Sequence, residues 1–150
     1  MPIPRSIERF LTEQHVPYSV IPHRPAYTAQ EEAALADVPG RQWAKTVACV
    51  VDDRPVLAVV PAQSLVDLDR LREIAGARAV RLAREAEFGD LYPDCEVGAM
   101  PPLGPLYGQP VFIDRALAGA GDIVFDGGSH RDAVKMKYED FVRVAQPTEA

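Results

Sequence analysis

Lys45-Thr46-Val47-Ala48-Cys49-Val50-Val51-Asp52-Asp53-Arg54-Pro55-Val56-Leu57-Ala58-Val59-Val60 is the stretch on which the fold turns. Two apolar runs rich in β-branched residues flank the polar break Asp52-Asp53-Arg54. Strand-forming runs on either side of a turn read as an antiparallel hairpin. Neither run alternates apolar with polar side chains, so both faces of the hairpin are expected to be covered.

Upstream, Ile7, Phe10 and Leu11 follow i, i+3, i+4 spacing, which predicts a helix from Arg5 to Gln14. Pro17 ends it, and Tyr18-Ser19-Val20-Ile21 reads as a short strand closed by Pro22. Thr28-Ala29-Gln30-Glu31 is a capping box that opens an Ala-rich helix reaching about Asp37 and stopped by Pro39-Gly40. Downstream, Asp67 to Ala75 reads as a helix closed by Gly76, Ala79 to Leu82 as a strand, and Arg84 to Phe88 as a helical turn. Tyr92 to Pro110 holds five prolines and three glycines in 19 residues and reads as a long structureless loop. Loops of that length inside a compact domain are more often functional than idle. Val111 to Ile113, Ile123 to Phe125 and Ala133 to Met136 read as strands, with Asp126-Gly127-Gly128-Ser129 as a turn. Tyr138 to Val144 makes a last helical turn, and Pro147 onward a tail. Strands joined partly by helices and partly by turns predict an α+β (mixed α/β) domain with a mixed sheet.

The chain has 150 residues, with 16 Lys plus Arg against 22 Asp plus Glu and a formal charge of −6. That length suits one domain. An apolar fraction of 47% and a charged fraction of 25% exclude disorder, a collagenous chain and a disulfide-stapled miniprotein. No apolar run approaches a membrane span and no secretory h-region is visible, so the cytoplasm is the expected compartment. The acidic balance argues against a protein that coats nucleic acid, DNA included, through many phosphate contacts. It leaves room for a small basic site that grips one end of an RNA.

Three features could carry chemistry. Lys45 opens a buried strand, where an ammonium group can clamp a phosphate or a carbonyl, or can simply be a solvated strand-end lysine. Gly98-Ala99-Met100-Pro101-Pro102-Leu103-Gly104-Pro105 combines close backbone approach with stiffness, as a backbone oxyanion site requires; a rigid surface loop is the competing reading. Gly127-Gly128-Ser129-His130 could turn polar side chains into a pocket, or could be ordinary hairpin chemistry. His23 reads as a loop histidine, with a pocket-lining histidine as the alternative, and His15 ends a surface helix. Three scattered histidines without HxxxH or HxH spacing, and two distant cysteines, give no metal site. Nucleotide and serine-hydrolase motifs are absent. Cys49 reads as a buried small hydrophobe. Cys95 is flanked by Asp94 and Glu96, a poor setting for a thiolate.

Together these pieces resemble the YbaK/ProX-type aminoacyl-tRNA editing domains, relatives of the insertion domain of bacterial prolyl-tRNA synthetases. The residues that carry the likeness are Tyr18-Ser19-Val20 with His23, the helix after Thr28, and Ala44-Lys45-Thr46-Val47. Val66-Asp67-Leu68 with Leu71, the G-x-x-x-P spacing of Gly98 to Pro102 before Leu103-Gly104, Val111-Phe112-Ile113-Asp114 and Gly128-Ser129-His130 complete it. The likeness covers about residues 15–144 of a single domain spanning 1–150. It implies a mixed, strongly curved sheet flanked by helices and a free-standing deacylase acting on mischarged tRNA. It implies that Lys45 contacts the acceptor end near the terminal adenosine and that the Gly98–Pro102 loop shapes the aminoacyl pocket through its backbone. On the same footing, Lys45, Gly98 and Pro102 are the expected catalytic positions. His23, Tyr27, Thr46, Ala99, Met100, Pro101, Gly128, Ser129 and His130 are the expected substrate-binding positions. No metal or organic cofactor is implied. The implied partners are an aminoacyl-tRNA acceptor end and, as a second candidate, an aminoacyl-tRNA synthetase, with no membrane. Met100 is bulkier than the small polar residues usual in that loop. A non-catalytic tRNA- or synthetase-binding module of the same fold, and a hydrolase built on Cys95, are the competing functions.

Overall fold

The computed structural model describes residues 3–26 and 28–149. In chain order the elements are α1 (Arg5–Glu13), β1 (Ser19–Pro22), α2 (Ala29–Leu35), β2 (Ala44–Val51), β3 (Arg54–Pro61), α3 (Leu68–Ala75) and β4 (Val80–Leu82). They continue with α4 (Glu85–Phe88), α5 (Gly104–Tyr107), β5 (Val111–Ile113), a 3-10 helix (Arg115–Ala120), β6 (Asp122–Ser129), β7 (Asp132–Lys137), α6 (Tyr138–Ala145) and β8 (Thr148–Glu149).

The β2–β3 hairpin is the spine. Its strands pair antiparallel from Ala44↔Pro61 to Val51↔Arg54. Asp52 and Asp53 both take positive φ, at 47° and 69°, the backbone a tight two-residue hairpin turn demands. Side chains alternate across β3 as the pleat requires. Leu57 and Val59 enter the main core with Ile7, Leu11, Phe125 and Phe141. Val56 and Ala58 face the other way, onto Leu71 of α3. Both faces are therefore covered, as the unbroken apolar runs predict.

Around the hairpin grows a five-stranded mixed sheet in the order β4-β2-β3-β5-β8, with β5 parallel to β3 and β8 parallel to β5. A second, antiparallel sheet has the order β1-β7-β6. The two meet where Trp43 bridges Val124 and the Val124 amide donates to the Gln42 carbonyl at 3.0 Å. The strands thus form two sheets joined at that bridge. Among the described residues no helix is long and apolar enough to cross a membrane.

Three expectations change. Residues 148 and 149 add an edge strand to β5, so these two are not part of a free tail. Gly127 to Ser129 are not a turn: β6 runs through them with a bulge, and the two-residue turn falls at His130-Arg131. An ideal Cβ on Gly128 would lie 2.6 Å from Pro4 Cγ, and one on Gly127 2.9 Å from Ile3 Cγ2, so the glycine pair makes room for the N-terminal segment. The 92–110 segment is not structureless. It contains α5, and Tyr92 closes it by donating to Gln109 Oε1 at 2.6 Å while its ring meets Tyr107 edge-on at 4.7 Å.

Candidate active site

A cleft of about 630 Å³ opens between α2, the start of β2, the residues after β3 and the Gly98 loop. Lys45, Thr46, Gly98, Met100 and His130 all line it. Sequence positions 45, 98 and 130 are thereby brought to one place by the hairpin, by the 92–110 segment and by the β6–β7 turn.

Lys45 sits at the cleft end of β2, paired with Val60. It is half-buried, and its ammonium group donates to the Ser64 carbonyl. That bond parks the charge at the cleft rim on an acceptor that a ligand oxygen can replace. Thr46 Oγ1 is buried in the same wall and, among the described residues, has no hydrogen-bond partner.

Gly98 has φ +82°, a conformation that strains any L side chain. Its neighbours are held by β6: the Gly128 amide donates to the Ala99 carbonyl at 2.9 Å, and the Glu96 amide to the Gly128 carbonyl at 2.8 Å. Ala99, Met100, Pro101 and Pro102 are buried, and of these four only Met100 reaches the cleft. Gly128 and Ser129 lie behind the loop, in a separate depression with Ile3, Pro4 and Arg5. Ser129 Oγ donates to Asp132 Oδ2 at 3.0 Å and accepts from the Arg131 amide, which closes the turn that presents His130. Tyr27 lies outside the described residues.

Behind His130 is a cluster of buried ionisable groups that no sequence motif announces. His130 Nδ1 is 3.2 Å from Glu32 Oε1 and 3.9 Å from Asp126 Oδ2. His130 Nε2 is 3.0 Å from the Val97 carbonyl, and its backbone amide donates to Glu96 Oε1 at 2.7 Å. On the far side of Glu32, His23 Nε2 lies 3.6 Å from Glu32 Oε2, with the two side chains 0% and 3% exposed. His23 Nδ1 meets the Arg24 carbonyl at 2.7 Å. His23 is therefore inside the protein, not on a solvated loop. It stands behind Glu32 and is not itself at the cleft.

Burial, the hydrogen bond shared with Glu32 and the neighbouring negative charge push the Asp126 carboxyl up to about 9. Burial also raises Glu32, opposed by its hydrogen bond with Asp126. Two carboxyls share a hydrogen bond only if one of them holds a proton. His130 Nδ1 approaches Glu32 Oε1 to 3.2 Å and Asp126 Oδ2 only to 3.9 Å, so the proton belongs on Asp126.

His23, Glu32 and Asp126 each offer one donor atom within 4.8 Å of the others, a grouping that spacing along the sequence had not suggested. Ligands on a zinc ion with bonds of about 2.1 Å stand roughly 3.4 Å apart. A proton shared between Glu32 and Asp126 pairs the two carboxyls without that contraction.

Glu32 was legible in part. Ala29, Ala33 and Ala36 of the helix face the small core beneath it, and Glu32 falls on that same face by i+3 from Ala29. Glu31 is instead engaged by the Thr28 cap, its amide donating to Thr28 Oγ1 at 3.1 Å. Asp126 gave no such signal, because an Asp before Gly-Gly looks like the start of a turn.

Cys95 does not line the cleft. Its Sγ lies 3.6 Å from Tyr107 Oη, and burial pushes its thiol up. A second groove of about 410 Å³ lies beside α3. Its carboxylates are already engaged as helix caps: Asp67 accepts from the Arg70 amide and Asp114 from the Ala116 amide.

Residues 23–144 match the family model described as the aminoacyl-tRNA editing domain. The multifunctional Ser/Thr-tRNA deacylase ProXp-y of Escherichia coli strain K12 is 27% identical over 146 residues, covering 91% of this chain and 84% of that protein. The proline–tRNA ligase of Thiobacillus denitrificans is 31% identical over 98 residues, 65% of this chain but only 17% of the ligase. The solved structure of a proposed trans-editing enzyme for prolyl tRNA synthetase superposes with a TM-score of 0.80 at 22% identity, covering 99% of this chain and 96% of that one. That last likeness speaks for the fold. With the family model spanning everything from His23 behind the cleft to Val144 of α6, the chain belongs to the aminoacyl-tRNA editing domain family.

Proposed function

We propose that the protein is a trans-editing deacylase that hydrolyses the ester of a mischarged tRNA in the cleft between Lys45 and the Gly98 loop. The observation that carries this reading is the shared lining of that cleft by Lys45, Thr46, Gly98, Met100 and His130. An aminoacyl ester is already activated, so its hydrolysis needs an aligned water and a stabilised oxyanion more than a nucleophilic side chain. The neighbouring ribose hydroxyl of the terminal adenosine can help align that water.

Lys45 exchanges Ser64 for an oxygen of the acceptor end and holds it as a point charge. The stiff loop, kept in place by Gly128 and Pro102, presents its backbone to the scissile carbonyl. Met100 sets the depth of the aminoacyl pocket. Gripping one RNA end takes few phosphate contacts, which suits a chain of charge −6. A synthetase that delivers the tRNA is the natural second partner, and the cytoplasm the natural compartment.

The test is deacylation of a panel of tRNAs mischarged with small and polar amino acids, serine, threonine and alanine included. Wild type releases at least one of them. Lys45→Ala lowers kcat/KM by about 10²-fold, the scale of one lost transition-state contact. A wild-type protein that binds these tRNAs and releases none would be a binding module instead.

A further inference from the structure

We propose that Glu32 is a positioning residue: it holds His130 in the doubly protonated, cationic form, with the Nε2 proton at the substrate cleft, while Asp126 carries the cluster's remaining proton. The part concerning substrate rests on the deacylase reading. The part concerning protonation rests on the two ring contacts of His130 and on the proton assigned to Asp126.

A carbonyl oxygen can only accept. The contact of His130 Nε2 with the Val97 carbonyl at 3.0 Å therefore places a hydrogen on Nε2. Nδ1 faces Glu32 Oε1 at 3.2 Å. With Glu32 ionised, Nδ1 must donate as well, and the ring is an imidazolium.

The same reasoning places a hydrogen on His23 Nδ1, which faces the Arg24 carbonyl at 2.7 Å. His23 Nε2, Glu32 Oε2 and Asp126 Oδ1 are then the atoms left without an ordinary partner. One proton, carried by Asp126, bridges the two carboxyls, and His23 Nε2 stands 3.6 Å from Glu32 Oε2 without a hydrogen bond. The quartet closes as His130 cation, Glu32 anion, neutral Asp126 and neutral His23, a net charge of zero in a buried site. Glu96 also faces this group, but its Oε1 is engaged by the His130 amide.

The consequence lies at the cleft. Val97 is an exposed loop residue that lines the cleft. An oxygen of the aminoacyl end can therefore replace the Val97 carbonyl as the acceptor of the Nε2–H hydrogen bond. A cation fixed from behind is a better donor to a developing oxyanion than a neutral ring.

The test is long-range ¹H–¹⁵N correlation of the histidine rings in ¹⁵N-labelled protein near pH 7 with EDTA present. The chain has three histidines, and His130 is assigned by its disappearance in His130→Gln. In wild type both ring nitrogens of His130 are expected to show the imidazolium pattern. In Glu32→Gln the ring is expected to revert to the neutral Nε2–H tautomer. Turnover of the mischarged tRNA should then fall about 10- to 100-fold in kcat with KM little changed, the scale of one charge-assisted hydrogen bond.

A neutral His130 in wild type overturns the proposal, as does an imidazolium that persists in Glu32→Gln. The wild-type spectrum decides even if the variant does not fold. If wild type deacylates nothing, the deacylase reading fails and the spectrum still decides the charge of His130.

Discussion

The Gly128 amide and the Ala99 carbonyl, 2.9 Å apart, fasten the cleft loop to the strand that leads into His130. Gly128 makes that bond at φ +99°, with Pro4 packed where a side chain would begin. Gly128→Ala therefore meets backbone strain and a steric clash together. The expected cost is about 1–3 kcal/mol, or several degrees of melting temperature for a chain of this size. Because the loop moves with the strand, deacylation should fall as well, and thermal melts alongside turnover check both.

Thr46 separates fold from function. Its hydroxyl is buried in the cleft wall with no hydrogen-bond partner among the described residues, so it contributes nothing to stability in the unliganded protein. Thr46→Val should leave the denaturation midpoint unchanged or slightly raised, since an unsatisfied polar group is removed without loss of volume. If the hydroxyl meets the acceptor end, kcat/KM falls at the same time. A drop in stability would mean that the hydroxyl has a structural partner after all.

What the sequence made legible follows from where the information is local. The β2–β3 hairpin, the Thr28 cap and the Gly76 stop of α3 each announce themselves within a few residues, and each stands where expected. Gly127-Gly128 misleads because two different demands write the same residues. A turn needs glycine for its own backbone, whereas here glycine is needed because Ile3 and Pro4 arrive from more than 120 residues away. The same limit hides β8, two exposed residues whose pairing with β5 no local pattern encodes. At the site, Lys45 and His130 are readable as candidates. Their meeting, and the Glu32–Asp126 pair behind them, are products of the tertiary fold.

Cys95 offers the sharpest contrast with a thiol-based mechanism. Burial raises its pKa, Asp94 adds to the rise, and the hydrogen bond with Tyr107 only partly opposes them. A protonated, half-buried thiol outside the cleft is a poor nucleophile. Cys95→Ala should retain full deacylase activity, with a stability loss of up to about 1 kcal/mol from the lost packing. Iodoacetamide should likewise leave turnover of wild type unaffected. Loss of activity in the alanine variant would revive the thiol hydrolase.

Asp126 predicts how stability depends on pH. Its carboxyl titrates near 4 in the unfolded chain and at about 9 in the fold. Between those limits the folded state holds a proton that the unfolded state has released. Stability from this group is therefore complete below about pH 4 and drains away as pH rises toward 9. Asp126→Asn keeps the shape and the neutral charge but has no proton to lose. The difference in unfolding free energy between wild type and Asp126→Asn should move steadily in favour of the variant from pH 5 to pH 9. Chemical denaturation at several pH values measures that difference directly, and a constant offset across the range would show that Asp126 is ionised in the fold.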